Sequence, residues 1–474
     1  MNTIYPFKRN FYYDVEKAIQ KSNVTFILGA RKCGKTVCMK QLNKALNNSL
    51  YFNLKEMLED DIVDLTDKIK EDIEQNRDVV YLIDEATYFI FPEKAIATIA
   101  SAMYDADNSN TKVVFAGSQS VALETWANRA FAGNAILIHP NFLSYPEWLA
   151  WKGMTEVSKE TYNAFLFGTK EFYKDFISLD QYLTGCLEET ILSNLKTSNV
   201  IPHNNCERLN AEILKNILYG ALISQSDRPD IRTFFDKDVV FREIRGFMKN
   251  TFKAVGAENV RDRVDDIFSQ RLHAYTSIDM ETFRQALIFL HQCGLITLTY
   301  VSDETHQFEN VVDVYRDLCL SDRNKIKNKE TLFKEVNICI KYPMFYVEIL
   351  KEILREHMPR ELSGEILGGI IECHVRGLLS EQNHYEYHDS TTEHEVDYVN
   401  YAERKAIEIS MRNKHGKELH FEDLPDDFDY ILLTKDQHFR EKSGLLRIPY
   451  YNFIYHYSVG CNLLNPTFAV PFKE

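Results

Sequence analysis

The stretch GARKCGKT, residues 29–36, constrains the fold more than any other feature, and it directly follows the apolar run VTFIL. It fits the phosphate-loop pattern G-x-x-x-x-G-K-T, in which a lysine and a hydroxyl follow the second glycine. The β-branched, aromatic and apolar residues of VTFIL are typical of a buried strand. The following VCMKQLNKAL spaces Val37, Leu42 and Leu46 along roughly one side of a helix. The stretch therefore predicts a strand, a tight loop and a helix.

A loop of this kind can hold phosphate groups, because its glycines let several backbone N–H groups face an anion. The helix that follows adds the positive end of its dipole. Lys35 can reach β- and γ-phosphates, and Thr36 can offer its hydroxyl to Mg²⁺. The alternative is a glycine-containing turn beside an unrelated lysine. The residues predicted to contact a nucleotide are Gly29, Arg31, Cys33, Gly34, Lys35, Thr36 and Val37.

A second apolar run, Val79 to Ile83, ends in the acidic pair Asp84 and Glu85. A buried strand that presents two carboxylates at its tip suits a phosphate-loop ATPase. Asp84 can hold Mg²⁺ through water, and Glu85 can orient and deprotonate an attacking water. The structural alternative is the acidic first turn of a helix.

The run TKVVFAGSQS predicts another strand with a polar end. We choose Ser118 as the side chain that touches the γ-phosphate or the attacking water, with Gln119 as the alternate. A plain strand-ending turn would have the same composition.

Composition excludes several classes of function. The 474 residues, 45% hydrophobic and 26% charged, fit a globular chain of about three domains. No run approaches 18 apolar residues and the N-terminus has no apolar signal-like core, so we expect a cytoplasmic protein without membrane contact. Nine scattered cysteines without a CxxC pair favour reduced thiols, and the histidines show no zinc-ligand spacing. With a net charge of −15, any contact with DNA requires a local basic face.

The predicted secondary structure changes along the chain. The runs VTFIL, SLYFNL, VVYLI, KVVFAG and AILIHP alternate with helical patterns, which indicates a parallel α/β sheet. A mostly helical stretch follows, and around Gly294 a helix, a turn and a strand are typical of a winged-helix module. HEVDYVNYAERKAIEIS and DYILLT then predict strands of a mixed α/β region. The predicted domains are residues 1–144, 145–235, 236–325 and 326–474.

The first 150 residues resemble the prokaryotic AAA-type ATPases of the "ATP-binding protein" group, from RNFYYDVEKAI through the phosphate loop to ILIHPNFLSYPEW. The relatives' sheet ends in an apolar run, a proline and a Ser-x-x-Glu stretch, here Pro140, Ser144 and Glu147. The resemblance implies ATP and Mg²⁺ as ligands and a helical lid after the sheet. It also implies that the Asp-Glu strand lies beside the partner of the phosphate-loop strand, and that the chain can form a homo-oligomer.

The chain departs from these relatives just before the last core strand, where Gly133-Asn134 replaces a Gly-Arg pair. Arg129 is the nearest arginine and thus the candidate for an arginine finger on a neighbouring subunit's phosphate. An ordinary surface arginine on a helix is the alternative.

The same group often carries a C-terminal part that resembles a winged helix followed by a decayed restriction-endonuclease-like domain. YLTGC at 182–186 and the turn at Gly294 match loosely, as do Glu372, Asp397 and Glu408. Nucleases of the PD-(D/E)xK kind cluster such acids on Mg²⁺ and place a lysine two residues after the second strand's acid. Here that position is Ser410, Lys405 is at the wrong end of the strand, and His394 and Glu395 do not replace the cation. Arg412 and Lys414 are nearby substitutes.

Three interpretations of this domain stay open: a nuclease-like domain without activity, an active nuclease with a displaced cation, and unrelated surface acids. Residues 351–361 and 412–420 can form basic faces or plain solvated surface. For the whole chain, the hypotheses are an ATP-driven switch or motor, an ATP-gated scaffold for DNA or a partner protein, and an ATP-licensed nuclease.

Overall fold

We describe the protein from a computed structural model. It describes residues 6–106, 109–118, 120–173, 178–196, 209–215, 217–218, 280–302, 336–354, 358–360, 362, 364–379, 385–388, 395–400, 404–410, 428–441 and 443–459. The chain divides into two compact units. The first comprises the described residues within 1–147, 183–208 and 292–294, and the second comprises those within 148–182, 209–291 and 295–474.

A five-stranded parallel sheet forms the centre of the first unit, with strand order β2-β3-β4-β1-β5. The strands coincide with the five apolar runs of the sequence, which confirms the predicted parallel α/β sheet. Its elements are α1 Asn10–Lys21, β1 Val24–Leu28, α2 Lys35–Ala45, β2 Ser49–Asn53, α3 Glu59–Glu74, β3 Val80–Asp84, α4 Pro92–Asp105, β4 Lys112–Gly117, α5 Ser120–Phe131 and β5 Ile136–Ile138.

Helices cover this sheet on both faces, which explains why its central strands are buried and mostly apolar. Ile27, Leu82 and Val114 face the helices α1 and α2 in one buried cluster. Their neighbours Phe26 and Phe115 face α3, α4 and α5 in another, with ring centroids 4.8 Å apart. Side chains alternate across a strand, so each strand contributes to both cores. The order places β3 beside β4, the partner of the phosphate-loop strand β1, as the family resemblance implied.

Helices dominate the described residues between 145 and 302. The elements described there are α6 Tyr145–Lys152, α7 Lys159–Phe172, α8 Leu179–Lys196, α9 Met280–Gln292 and β6 Ile296–Ser302. Gly294 has a φ of 69° in the turn between α9 and β6, so the helix, turn and strand predicted there are present.

A mixed eight-stranded sheet lies in the second unit, in the order β12-β13-β11-β10-β9-β8-β6-β7. The strand β6 pairs antiparallel with β7 and parallel with β8, so this sheet extends across the boundary that we placed at residue 325. The remaining elements are β7 Val336–Ile340, α10 Pro343–Leu354, α11 Gly364–Leu379, β8 Tyr385–His388, β9 Glu395–Asn400, β10 Lys405–Ile409, β11 Asp429–Thr434, β12 Phe439–Arg440, β13 Leu446–Pro449 and α12 Tyr450–Ser458.

None of the helices in the described ranges combines the length and the apolar character that a bilayer-spanning helix requires.

Candidate nucleotide-binding site

The phosphate loop, residues 29–36, joins β1 to α2 through two left-handed residues. Lys32 has a φ of 66° and Gly34 a φ of 100°, and such turns point successive N–H groups to one side. Gly29 is required by space, because a Cβ there would lie 2.8 Å from the Pro140 carbonyl oxygen and 2.9 Å from Cys33 Sγ. Gly34 thus allows the left-handed turn, and Gly29 allows the backbone of Pro140 to pass close to the loop.

Lys35 is the first residue of α2 and its side chain folds back over the loop. The ammonium Nζ donates hydrogen bonds to the carbonyl oxygens of Gly29, at 2.7 Å, and Ala30, at 2.9 Å. The residue is only 6% exposed, so its charge lies inside the loop. Thr36 and Val37 follow in the first turn of α2, where backbone N–H groups have no acceptor within the helix. This arrangement can bind an anion through one cation and several amides.

Asp84 ends β3 and is 1% exposed. Its Oδ1 accepts the N–H of Glu85 at 3.1 Å, and its Oδ2 accepts the hydroxyl of Tyr51 at 2.9 Å. Burial, together with the charge of Asp84 and this hydrogen bond, raises the pKa of Tyr51 far above its ordinary value. The phenol therefore remains a donor to the carboxylate at all physiological pH values.

Glu85 follows in the left-handed conformation, with φ 53° and ψ 49°. For a residue with a Cβ this conformation costs about 1 kcal/mol, and such strain concentrates at functional sites. The turn sends the chain away from the strand direction immediately after Asp84. Asp84 and Glu85 therefore differ in backbone conformation, as separate roles for their carboxylates would require.

Three strand ends meet at one edge of the sheet. The register pairs Leu28 of β1 with Gly117 of β4, so the phosphate loop and Ser118 leave neighbouring strands at the same level. The strand β3 lies on the other side of β4 and ends at Asp84. The carboxyl edge of a parallel sheet is the usual ligand site of α/β proteins. The alternate residue, Gln119, lies outside the described residues.

The oxygen donors at this edge fit Mg²⁺. Mg²⁺ prefers carboxylate, hydroxyl and phosphate oxygens and keeps several waters. The buried Asp84 carboxylate and the Thr36 hydroxyl offer such oxygens beside a loop built for phosphate. In the described part of the chain, no group of three or more His, Cys, Asp or Glu side chains is arranged to hold a metal by itself. A Mg²⁺ at this edge would take its other ligands from the nucleotide's phosphate oxygens and from water.

Arg129 lies on α5 with 61% of its side chain exposed, and it forms a 3.2 Å ion pair with Glu93 of α4. An exposed pair of this kind contributes at most about 1 kcal/mol to stability. Arg129 can therefore leave Glu93 at little cost.

Two contacts of the loop were not predicted from the sequence. Arg31 donates from Nη1 to the carbonyl oxygen of Gly185 in α8, 154 residues away. Arg9 donates from Nη1 to the carbonyl oxygen of Cys33, and its guanidinium also binds Glu147. The quoted stretches RNFYYD and YLTGC contain Arg9 and Gly185, but local patterns do not reveal which distant residue each one meets.

The structure brings two of the three C-terminal acids together. Asp397 of β9 and Glu408 of β10 lie on adjacent antiparallel strands, and Asp397 N–H donates to Glu408 Oε2 at 3.4 Å. Asp397 Oδ2 in turn accepts the N–H of Ile409 at 2.6 Å.

Glu372 lies on α11, and its carbonyl oxygen accepts the hydroxyl of Tyr398. Successive side chains of a strand point to opposite faces, so α11 contacts the face of β9 opposite to the Asp397 side chain. Ser410 is buried, and its N–H donates to the Leu433 carbonyl oxygen. Lys405 begins β10, whereas His394, Arg412 and Lys414 lie outside the described residues.

Comparison with known proteins gives one family match. Residues 21–149 match the model of a family described as an AAA domain. A comparison with curated proteins finds no match.

Several solved structures are similar over much of the chain. A Walker-type ATPase of Pyrococcus abyssi is 14% identical, with 61% of this chain and 90% of that chain covered and a TM-score of 0.28. AMPPCP-bound DnaA from Aquifex aeolicus is 14% identical, with 67% and 94% covered and a TM-score of 0.24. The Aeropyrum pernix ORC1 protein in complex with DNA is 9% identical, with 75% and 94% covered and a TM-score of 0.26.

Identity and TM-scores at this level carry no argument about function. The family match over residues 21–149 agrees with the parallel sheet and the phosphate loop in the same residues. Residues 21–149 thus match an AAA domain, and the sheet and loop they form are of the P-loop type.

Proposed function

We propose that this protein binds and hydrolyses Mg-ATP and acts as a nucleotide-driven switch on its C-terminal region. The observation that carries the proposal is the single sheet edge at which the phosphate loop, Asp84, Glu85 and Ser118 meet. Each supplies one component that phosphoryl transfer to water needs: an anion cradle, a metal ligand, a base and a polar contact for the γ-phosphate.

The proposed chemistry assigns a role to each residue. The loop amides and Lys35 hold the β- and γ-phosphates, and Thr36 and Asp84 would hold Mg²⁺. The metal would neutralise charge on the phosphate oxygens. Glu85 accepts a proton from a water that attacks the γ-phosphorus, the bond from that phosphorus to the β–γ bridging oxygen breaks, and ADP and phosphate leave. Ser118 orients the water or a γ-oxygen.

A contact of the phosphate loop supports the switch. Arg31, three residues before Gly34, donates to the carbonyl oxygen of Gly185 in α8. A loop that tightens on a γ-phosphate moves Arg31, and α8 then gains or loses this bond. The γ-phosphate is the group that differs between the two nucleotide states, so it can bias such a contact.

ATP turnover by the full chain tests the proposal. We expect Glu85→Gln to keep nucleotide binding and to lower turnover by about 10²–10⁴-fold, the usual contribution of a general base. Lys35→Ala loses binding and turnover together. Lys44→Ala, an exposed lysine on the same helix, and Glu59→Gln, an exposed acid at the start of α3, are matched controls. Equal turnover in all five proteins, wild type included, would remove the proposal.

A second candidate is an ATP-gated scaffold with little turnover. The buried Ser410 favours it, because a serine at the lysine position of a PD-(D/E)xK site supplies no positive charge. The scaffold would hold DNA or a partner protein, as a monomer or a homo-oligomer. Binding to a fluorescent duplex at increasing salt separates the partners, since DNA affinity falls steeply with salt.

The nuclease hypothesis has a separate test. Incubation with single- and double-stranded DNA and RNA, Mg²⁺ and ATP should leave every substrate intact, in wild type as in Asp397→Asn. Cleavage that Asp397→Asn abolishes would instead assign the reaction to the C-terminal acids.

A further inference from the structure

The guanidinium of Arg9 is buried and uses all five of its N–H donors. Nε and Nη2 bind the two oxygens of Glu147, at 3.2 and 2.6 Å. Nη1 donates to the carbonyl oxygens of Cys33, at 2.8 Å, and Asn141, at 2.7 Å. Nη2 also donates to the carbonyl oxygen of Phe142 at 2.9 Å. Five donors in a rigid planar fork therefore connect the phosphate loop with the segment that follows β5.

Glu147 is equally well satisfied. Besides Arg9, its carboxylate accepts the N–H of Asn10 at 2.8 Å and the N–H and hydroxyl of Ser144 at 3.0 and 3.1 Å. Burial by itself would raise the pKa of Glu147. The Arg9 charge and the hydrogen bonds from Arg9, Ser144 and Asn10 outweigh it and hold the pKa below its usual value. The pair is thus ionised and held by groups at the start of α1 and at the start of α6.

The bond to Cys33 determines the direction of one loop amide. The carbonyl of Cys33 and the N–H of Gly34 belong to the same planar peptide group. In a trans peptide these two bonds point in opposite directions, and no described peptide bond is cis. Arg9 holds the carbonyl on the protein side, so the Gly34 N–H points the other way. Rotation of this peptide would otherwise be easy, because Gly34 on one side of it has no Cβ to restrict its φ, which is 100° here.

We propose that the Arg9–Glu147 ion pair positions the phosphate loop, with Arg9 as the residue that aims the Gly34 N–H at the nucleotide's phosphates. The inference rests on the proposed function, since it requires the loop to bind phosphate. Glu147 acts one step further away by orienting the guanidinium. Both residues would act through the loop peptide and not by contact with the nucleotide, so both are positioning residues.

A pair of variants tests this role through nucleotide affinity. Arg9→Lys keeps a positive charge but loses the fork, and Glu147→Gln keeps the shape but loses the charge. We expect each to weaken ADP binding by about tenfold or more, measured by calorimetry at a temperature where every variant is folded. Arg77→Met is the matched control. Arg77 forms a 2.8 Å ion pair with the buried Asp72, and this pair lies outside the phosphate loop. This variant should lower the melting temperature and leave ADP affinity unchanged.

A spectroscopic readout isolates the Gly34 amide. The sequence contains two Cys-Gly peptides, Cys33–Gly34 and Cys293–Gly294. Protein with ¹³C-carbonyl cysteine and ¹⁵N-glycine therefore gives two signals in a spectrum that selects ¹³C–¹⁵N pairs. In the wild type, saturating ADP should shift the Gly34 signal and leave the Gly294 signal in place. In Arg9→Lys at saturating ADP, the Gly34 shift should be smaller.

The outcomes are distinguishable. If wild type binds neither ADP nor ATP, both the function and this inference fall. If wild type binds, Lys35→Ala does not, and both Arg9→Lys and Glu147→Gln match wild type in affinity and in the Gly34 shift, the ion pair is only structural and the inference alone is overturned. Glu147→Gln decides the affinity test should Arg9→Lys fail to fold.

Discussion

The hydroxyl of Tyr51 donates a hydrogen bond to Oδ2 of Asp84, with 2.9 Å between the two oxygens. Tyr51 lies on β2 and Asp84 at the end of the adjacent β3, and the carboxylate is almost completely buried. The bond fixes the orientation of the carboxylate, and Oδ1 accepts the N–H of Glu85. Groups that orient a metal ligand in this way commonly change metal affinity or activity by about 10–100-fold when removed.

Tyr51→Phe should therefore raise the Mg²⁺ concentration that half-maximal ATP turnover requires by about 10–100-fold. Tyr81→Phe is a closely matched control. Tyr81 lies on the adjacent strand β3, and its hydroxyl donates a 2.6 Å hydrogen bond to the buried Asp72. Both variants should lose about 1–3 kcal/mol of unfolding free energy, since each removes a bond to a charged group. An unchanged Mg²⁺ requirement in Tyr51→Phe would contradict the assignment of Asp84.

Gly29→Ala should abolish ADP binding and destabilise the protein by about 1–3 kcal/mol. The new Cβ would lie 2.8 Å from the backbone oxygen of Pro140, so the chain must move. Gly117→Ala is the comparison: its Cβ would meet the end of the Leu123 side chain at 2.7 Å, which can rotate away. In urea unfolding, Gly29→Ala should have a clearly lower free energy of unfolding than Gly117→Ala. The reverse order would mean that the loop tolerates expansion.

Arg31→Gln should uncouple α8 from the nucleotide. In the wild type we expect amide hydrogen exchange in residues 183–196 to differ between ADP and a non-hydrolysable ATP analogue. The difference should disappear in Arg31→Gln, because the donor to the Gly185 carbonyl is gone. Lys32→Gln removes one charge from the same loop and should keep the difference. If the exchange difference persists in Arg31→Gln, the Arg31–Gly185 contact does not couple α8 to the nucleotide.

The buried His374 predicts a pH dependence of stability. Burial lowers its pKa to about 3, and a 2.9 Å hydrogen bond joins its Nδ1 to the Tyr162 hydroxyl. As pH falls below 6.5, the ordinary pKa of histidine, the unfolded chain takes up a proton that the folded chain refuses. The unfolding free energy should fall by up to about 1.4 kcal/mol per pH unit between 6.5 and 3 from this group alone.

Urea unfolding of His374→Gln between pH 4 and 7 measures this contribution. The variant should be less stable at neutral pH and show a shallower decline toward acid. A histidine on the surface, the exposed His139, provides the control variant His139→Gln. Identical pH slopes in wild type and His374→Gln would show that His374 does not resist protonation.

The proposed finger role of Arg129 predicts complementation between subunits. Arg129→Ala alone should lose about 10³–10⁵-fold in turnover. Lys35→Ala alone should lose turnover together with nucleotide binding. A mixture of the two should recover part of the activity, because a Lys35→Ala subunit can lend its Arg129 to an intact loop on its neighbour. Arg77→Ala, another exposed arginine of the same unit, should turn over ATP normally. Full activity of Arg129→Ala would make it an ordinary surface residue.

Much of the first unit is encoded locally. Each of the five apolar runs forms a strand, and the phosphate loop occupies the predicted turn, because hydrophobic periodicity and glycine placement act within a few residues. The acidic tip of β3 and the polar end of β4 follow from where those runs stop. The strands containing Asp397 and Glu408 were also predicted, and the structure pairs them.

Contacts between distant segments could not be predicted in this way. Arg9 meets Glu147 across 138 residues, and Arg31 meets Gly185 across 154. The strand β6 joins strands from beyond residue 325, because sheet edges pair according to which backbone donors and acceptors remain available after folding.

By itself the sequence determined that this chain contains a phosphate loop followed by an acidic strand tip, since spacing and polarity along one stretch suffice for both. Only the tertiary structure decided how these parts are held. The partner of a buried charge is selected by desolvation, which requires some opposite charge or donor nearby but does not specify its place in the chain. The Arg9–Glu147 pair and the Tyr51–Asp84 hydrogen bond therefore depend on how the strands and helices pack, which the local sequence does not specify.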